Sequence, residues 1–150
     1  MYKILLALHL LFAIFAIGPL VGIVTTASRG LRRPDATATA SSARGATIYA
    51  YVSILVVILG FGLMSSKPDW NHGRPIADIG DLWIWLSLLL WVVTMVLTLA
   101  VAVPALKQAT TRIGAGEAVS SLTGRVAAAG GIVGLLFAVI VFLMVYQPGS

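Results

Sequence analysis

The stretch that decides the fold lies near the start of the chain, where residues 3–24 read KILLALHLLFAIFAIGPLVGIV. Lys3 is its only formal charge, and the run is broken only by His9 and by the Gly18-Pro19 pair. At about 1.5 Å per helical residue, roughly 20 such residues cross the hydrocarbon core of a bilayer. A secretory signal peptide is the competing reading. Its apolar core is shorter, about 7–15 residues, and a small-residue cleavage site follows it. Here the apolar run continues to Val24 without such a site, so a retained membrane span over Ile4–Val24 is expected.

The same reading finds three more spans, over Thr47–Met64, Leu82–Val103 and Val126–Tyr146. The composition agrees: 59% of the residues are hydrophobic and 10% are charged. Soluble domains carry about 25% charged residues. With about 80 of the 150 residues inside lipid, the expectation is a single all-α membrane domain. Its four transmembrane helices form an antiparallel bundle. The absence of cysteine excludes disulfides, thiolate metal sites and iron–sulfur clusters.

Charge sets the expected orientation. The first connection, TTASRGLRRPDATATASSARGA (25–46), carries Arg29, Arg32, Arg33 and Arg44. The third, ALKQATTRIGAGEAVSSLTGR (105–125), carries Lys107, Arg112 and Arg125. Seven of the ten basic residues thus fall on one side, while Asp69, Asp78 and Asp81 fall on the other. Basic residues concentrate in cytoplasmic loops, so connections 1 and 3 are expected inside and both termini outside a bacterial plasma membrane. The high pI of 10.1 then reflects topology rather than nucleic-acid binding.

Within connection 1, Pro34 should stop any helix continuing from span 1. The following Ala/Thr/Ser stretch has little apolar bulk and is expected to be mobile unless a partner covers it. The arginines are candidates for contact with anionic headgroups, at about 1 kcal/mol each. Connection 3 begins after Pro104, and ALKQATTRI could prolong span 3 as a helix ended by Gly114 and Gly116. Connection 2, SSKPDWNHGRPIADIGD (65–81), reads as a docking or capping loop. In it Asp81 is placed to cap the next helix, and Trp83 and Trp85 to anchor at the membrane interface. Asp69, His72 and Asp78 invite a metal reading, but their spacing matches no established ligand pattern.

The spans carry packing signals and little chemistry. Gly18 and Gly22 form a GxxxG with Pro19 between them, and Gly130 and Gly134 form another. Gly60 and Gly62 add to span 2. Such glycines let helix backbones approach closely in lipid. Past Thr47 at the start of span 2, spans 2 and 3 offer only Ser53, Ser87, Thr94 and Thr98 as small polar groups, and span 4 is apolar beyond Arg125. Pumps, channels and coupled transporters need intramembrane charges, and transporters show matched broken helices; neither is read here. No Ser/His/Asp set, carboxylate pair or HExxH motif supports catalysis, so a non-enzyme is expected. His9 has three readings: a haem b or copper ligand with His72, a proton relay, or a packing residue. As a packing residue it would donate to a backbone carbonyl or to Ser53, Ser87 or Thr94.

The stretch LHLLFAIFAIGPLVG (8–22), through His9, Gly18 and Gly22, resembles the opening of small four-helix bacterial membrane proteins. Some of these look distantly like the copper-resistance CopD-type membrane domains, which are expected to carry more intramembrane polar ligands than this chain. The Ala/Val/Gly/Arg-rich composition is similar to that of actinobacterial proteins. In such organisms, small helical subunits of this build resemble the accessory subunits around respiratory oxidase assemblies. The resemblance implies a non-catalytic subunit held by helix packing and loop docking among other integral membrane subunits and lipid. A haem- or copper-binding protein using His9 and His72 is the alternative. A lipid or small-molecule carrier is a third reading.

Overall fold

The computed structural model describes residues 1–68, 71, 72 and 74–148. Four helical rods run over Tyr2–Arg32, Ala36–Met64, Leu82–Gly114 and Ser120–Tyr146, each long and apolar enough to cross a membrane. No strand occurs among the described residues. The protein is a four-helix, multi-pass membrane bundle.

Rod 1 comprises α1 (Tyr2–Phe12), a π-helical segment (Ala13–Ile17), α2 (Gly18–Thr26) and the short α3 (Ser28–Arg32). Rod 2 is α4 (Ala36–Met64). Rod 3 repeats the design of rod 1, with α5 (Leu82–Val96), a π-helical segment (Leu97–Ala102) and α6 (Val103–Gly114). Rod 4 is α7 (Ser120–Tyr146). Both π segments stop two residues before a proline, Pro19 or Pro104. Proline has no N–H, and in a regular α-helix its ring presses on the carbonyl four residues back. That carbonyl belongs to Phe15 in one rod and to Ala100 in the other, both inside the widened turns. A π turn moves the carbonyl away and re-satisfies the backbone with longer-range bonds; the Val103 N–H bonds the Thr98 carbonyl, five residues back. Connection 3 therefore does not begin at Pro104: the helix passes through it to Gly114. Although rods 1 and 3 stay continuous, they do carry a matched pair of helix interruptions, which the sequence reading did not find.

The other correction concerns the Ala/Thr/Ser stretch. It is the first turns of α4, not a mobile loop, and connection 1 shrinks to residues 33–35 around Pro34. Two causes act together. The Asp35 carboxylate accepts the Ala38 N–H at 2.9 Å, a true N-cap. Thr39, Ala43 and Ala46 are then buried, Ala43 in a cluster with Ala27, Leu31, Leu106, Ala109 and Leu122 from the other three rods. Ala side chains lose little entropy and allow close packing, so little apolar bulk suffices.

The closest packing follows a ring. Rod 1 lies on α4 along α1, its π segment and α2; α2 also packs on α7, α7 on α5, and α4 on α6. Each helix thus neighbours the next in sequence, and rod 4 closes on rod 1. The burial pattern differs from that of a water-soluble bundle in what faces outward. Ala16, Ala46, Ala50, Ala102 and Ala109 are almost fully buried, as are Leu20, Val24, Leu106, Val126 and Val133, while Ile4, Phe15, Ile58, Leu89 and Leu135 are exposed. Lipid tails solvate bulky apolar side chains as well as a core does, so these can face outward, and small residues in the interior bring backbones together.

Candidate functional site

His9 is buried against α4. Its Nδ1 lies 3.0 Å from the carbonyl oxygen of Val56. A carbonyl only accepts, so Nδ1 carries the proton and Nε2 the lone pair in the neutral ring. Gly60, one turn further along α4, makes room for the ring: a Cβ there would stand 3.3 Å from the imidazole Cε1. Residue 60 is thus matched to the histidine and not to a helix backbone.

A second polar seam joins α4 to α5. The Trp91 indole N–H donates to Ser53 Oγ at 3.1 Å, and Ser53 donates to the Ala50 carbonyl at 2.6 Å. Thr94 returns its hydroxyl to the Trp91 carbonyl at 2.6 Å. Thr98, at the same seam's continuation, and Ser87 are buried without a hydrogen-bond partner for their hydroxyls. These groups hold helix register. None of them adjoins a second titratable side chain.

The two GxxxG motifs are used differently. A Cβ on Gly130 would run into the Val24 carbonyl oxygen and stand 3.1 Å from Thr25 Cα, so α7 and α2 touch backbone to backbone there. At Gly134 the neighbours are side chains, with Thr25 Cγ2 at 3.4 Å. Gly18 and Gly22 have nothing within 4 Å at their Cβ positions, and both are exposed. Pro19 is half-buried between them. Gly45, which sequence reasoning passed over, receives the Ile23 side chain: a Cβ would lie 2.8 Å from its Cδ1. Its place between charged and small residues gave no apolar pattern to flag it.

The basic residues collect at one end. Arg29, Arg32 and Arg33 line a cavity of about 330 Å³ at the end of rod 1. Arg44 of α4 and Lys107 of α6 line another, of about 390 Å³, together with Thr47, Ile48 and Thr110. Sequence reading had placed Arg44 with the first connection and Lys107 with the third. The α4–α6 packing brings them to one cavity.

At the opposite end, His72 is exposed with a left-handed backbone (φ 51°), while Asp69 and Trp70 lie outside the described residues. His9 and His72 thus stand in different settings, one locked on α4 and one in the connection. Among the described residues no group of three or more His, Cys, Asp or Glu side chains gathers around a metal position. Asp81 stands at the start of α5 but does not cap it with its side chain. Its carboxylate instead accepts the Asp78 N–H at 2.8 Å, closing a tight turn. Trp85 donates its indole N–H to the Ile79 carbonyl at 2.7 Å, pinning the connection to α5, and the Trp83 indole nitrogen is buried without a partner.

No protein-family model, curated protein or solved structure matches this chain.

Proposed function

We propose that the protein is a non-catalytic accessory subunit of a larger membrane complex, joined to it through the Gly18–Gly22 face of rod 1. The observation that carries this reading is the unused GxxxG. The bundle closes through Gly130, while Gly18 and Gly22 stand exposed beside bulky Ile14 and Phe15. A notch of this kind admits a neighbouring helix at backbone distance, where van der Waals contact drives association in lipid. The likeness of its small four-helix build to accessory subunits points to a respiratory, cytochrome oxidase-type assembly. The concentration of basic residues at the end of the bundle that carries connections 1 and 3 supports a cytoplasmic position for that end in a bacterial cell, with the termini outside.

Purification from the native membrane in mild detergent tests the reading. The wild type should co-purify with other integral membrane subunits, and a Gly18→Leu/Gly22→Leu variant should be recovered alone with unchanged helicity. Recovery of the wild type as a lone monomer would count against the proposal. The His9 geometry favours one alternative, a haem- or copper-binding protein. An imidazole whose Nδ1–H is held by a backbone carbonyl presents Nε2 in the manner of a metal ligand. A visible spectrum without a Soret band, and metal analysis without copper, would end that alternative.

A further inference from the structure

We infer that the notch between α4 and α6 binds the phosphate of an anionic phospholipid through Arg44 and Lys107. Two cations from separate helices line one cavity, and among the described residues neither side chain forms an ion pair or hydrogen bond. Both side chains are exposed and no carboxylate lines the cavity with them, so an anion seated there meets two cations and no opposing charge. The donors at the site are also selective. Thr47 and Thr110 give their hydroxyl protons to the Ala43 and Leu106 carbonyls at 2.8 and 2.9 Å. The guanidinium and ammonium are then the free donors, and these match phosphate oxygens.

Depth and surroundings choose the source of that phosphate. From Arg44 to Met64 at the far end of α4 is about 30 Å by helical rise, the thickness of the hydrocarbon core. Arg44 therefore sits where the phosphate plane begins. Ile48 lines the same cavity, and Tyr51 and Leu55 continue the exposed face of α4 towards the membrane centre. Across the notch, Pro104, Ala100 and Val96 of rod 3 are exposed as well. A cationic head with an apolar track beneath it suits a lipid with acyl chains, whereas a free phosphate ion would leave the track unused. The Arg29, Arg32 and Arg33 group differs, because its cations come from the short α3 and the residue that follows it, and no second rod lines their cavity.

The full chain in neutral detergent, titrated with phosphatidylglycerol or phosphatidylcholine and read by native mass spectrometry, tests the inference. The wild type should retain phosphatidylglycerol in preference to phosphatidylcholine. Arg44→Gln/Lys107→Gln should weaken phosphatidylglycerol retention by about tenfold or more, from the loss of both phosphate donors of the shared cavity. Arg44→Lys/Lys107→Arg should keep it, and Arg29→Gln/Arg33→Gln should change it by less than about threefold. Equal loss in the Arg44/Lys107 and Arg29/Arg33 glutamine variants, or no headgroup preference in the wild type, overturns the site. Displacement of the lipid by millimolar inorganic phosphate would make the ligand a free phosphate and overturn the lipid assignment. The last two readouts use the wild type alone, so they stand even where a variant folds poorly.

Discussion

His9 and Gly130 show how far a single residue can be read without its neighbours. The lack of any carboxylate, basic residue or second histidine inside the spans favoured a packing hydrogen bond for His9. Which group accepts that bond depends on the register of α1 against α4, and the Val56 carbonyl with the Gly60 notch is a property of that register. His9→Ala should therefore lower bundle stability by about 1–3 kcal/mol, from a lost hydrogen bond and the space left behind, read as an earlier unfolding transition in detergent. Gly130 and Gly131 give the sharper test. They are adjacent in AAAGGIVG, and only Gly130 belongs to a GxxxG; it faces the α2 backbone, whereas Gly131 has nothing within 4 Å. Gly130→Ala should destabilise by about 1–3 kcal/mol, because α2 and α7 must part. Gly131→Ala should stabilise by about 0.5–1 kcal/mol through helix propensity. Opposite signs at neighbouring positions, measured by the same unfolding titration, would confirm the packing face; equal signs would refute it.

At the scale of elements, the apolar rods were legible because about 20 consecutive apolar residues have no other common fate. Their extensions were legible only in part: ALKQATTRI suggested a third helix prolonged to Gly114, while the start of α4 did not show itself. The start of α4 carries Thr, Ser and Arg, so its mean hydropathy falls below that of a span. What makes it a helix is the Asp35 cap and the alanine face that meets Leu31 and Leu106, and that face exists only once rods 1 and 3 are in place. The π turns were half-legible, since Gly18-Pro19 marked a place to bend. That Pro104 is absorbed by the same device inside a continuing helix was not. A π turn is a helix with one residue more than its α equivalent needs, so removing one should leave both flanks in register. Deleting Ala100 should accordingly preserve the bundle and its helicity, with stability lowered by no more than about 3 kcal/mol, because Pro104 then meets a regular α turn. Deleting Leu89 from the regular α5 should rotate the whole packed face by about 100° and abolish folding. Equal damage from the two deletions would show that the widened turn is not a spare residue.

The whole molecule is two similar hairpins: a rod with a π turn and a proline, a short connection at the basic end, and a straight helix returning. Closing rod 4 onto rod 1 joins them, and the basic end becomes a packed helical cap. The proposed orientation puts that cap in the cytoplasm. The chain has no cysteine, so single cysteines report sidedness directly. Lys67→Cys should react with a membrane-impermeant maleimide added to intact cells, and Ala118→Cys only after the membrane is opened; the reverse pattern would invert the topology. By itself the sequence determined the solvent, the class and the number of helices. Those follow from the transfer free energy of whole segments, which sums along the chain without regard to what each residue touches. Only the tertiary structure decided which glycine meets a backbone, which carbonyl holds His9, and that Arg44 and Lys107 share a cavity. Those depend on helix rotation and register, which in lipid are fixed by close contact between small residues from distant parts of the chain.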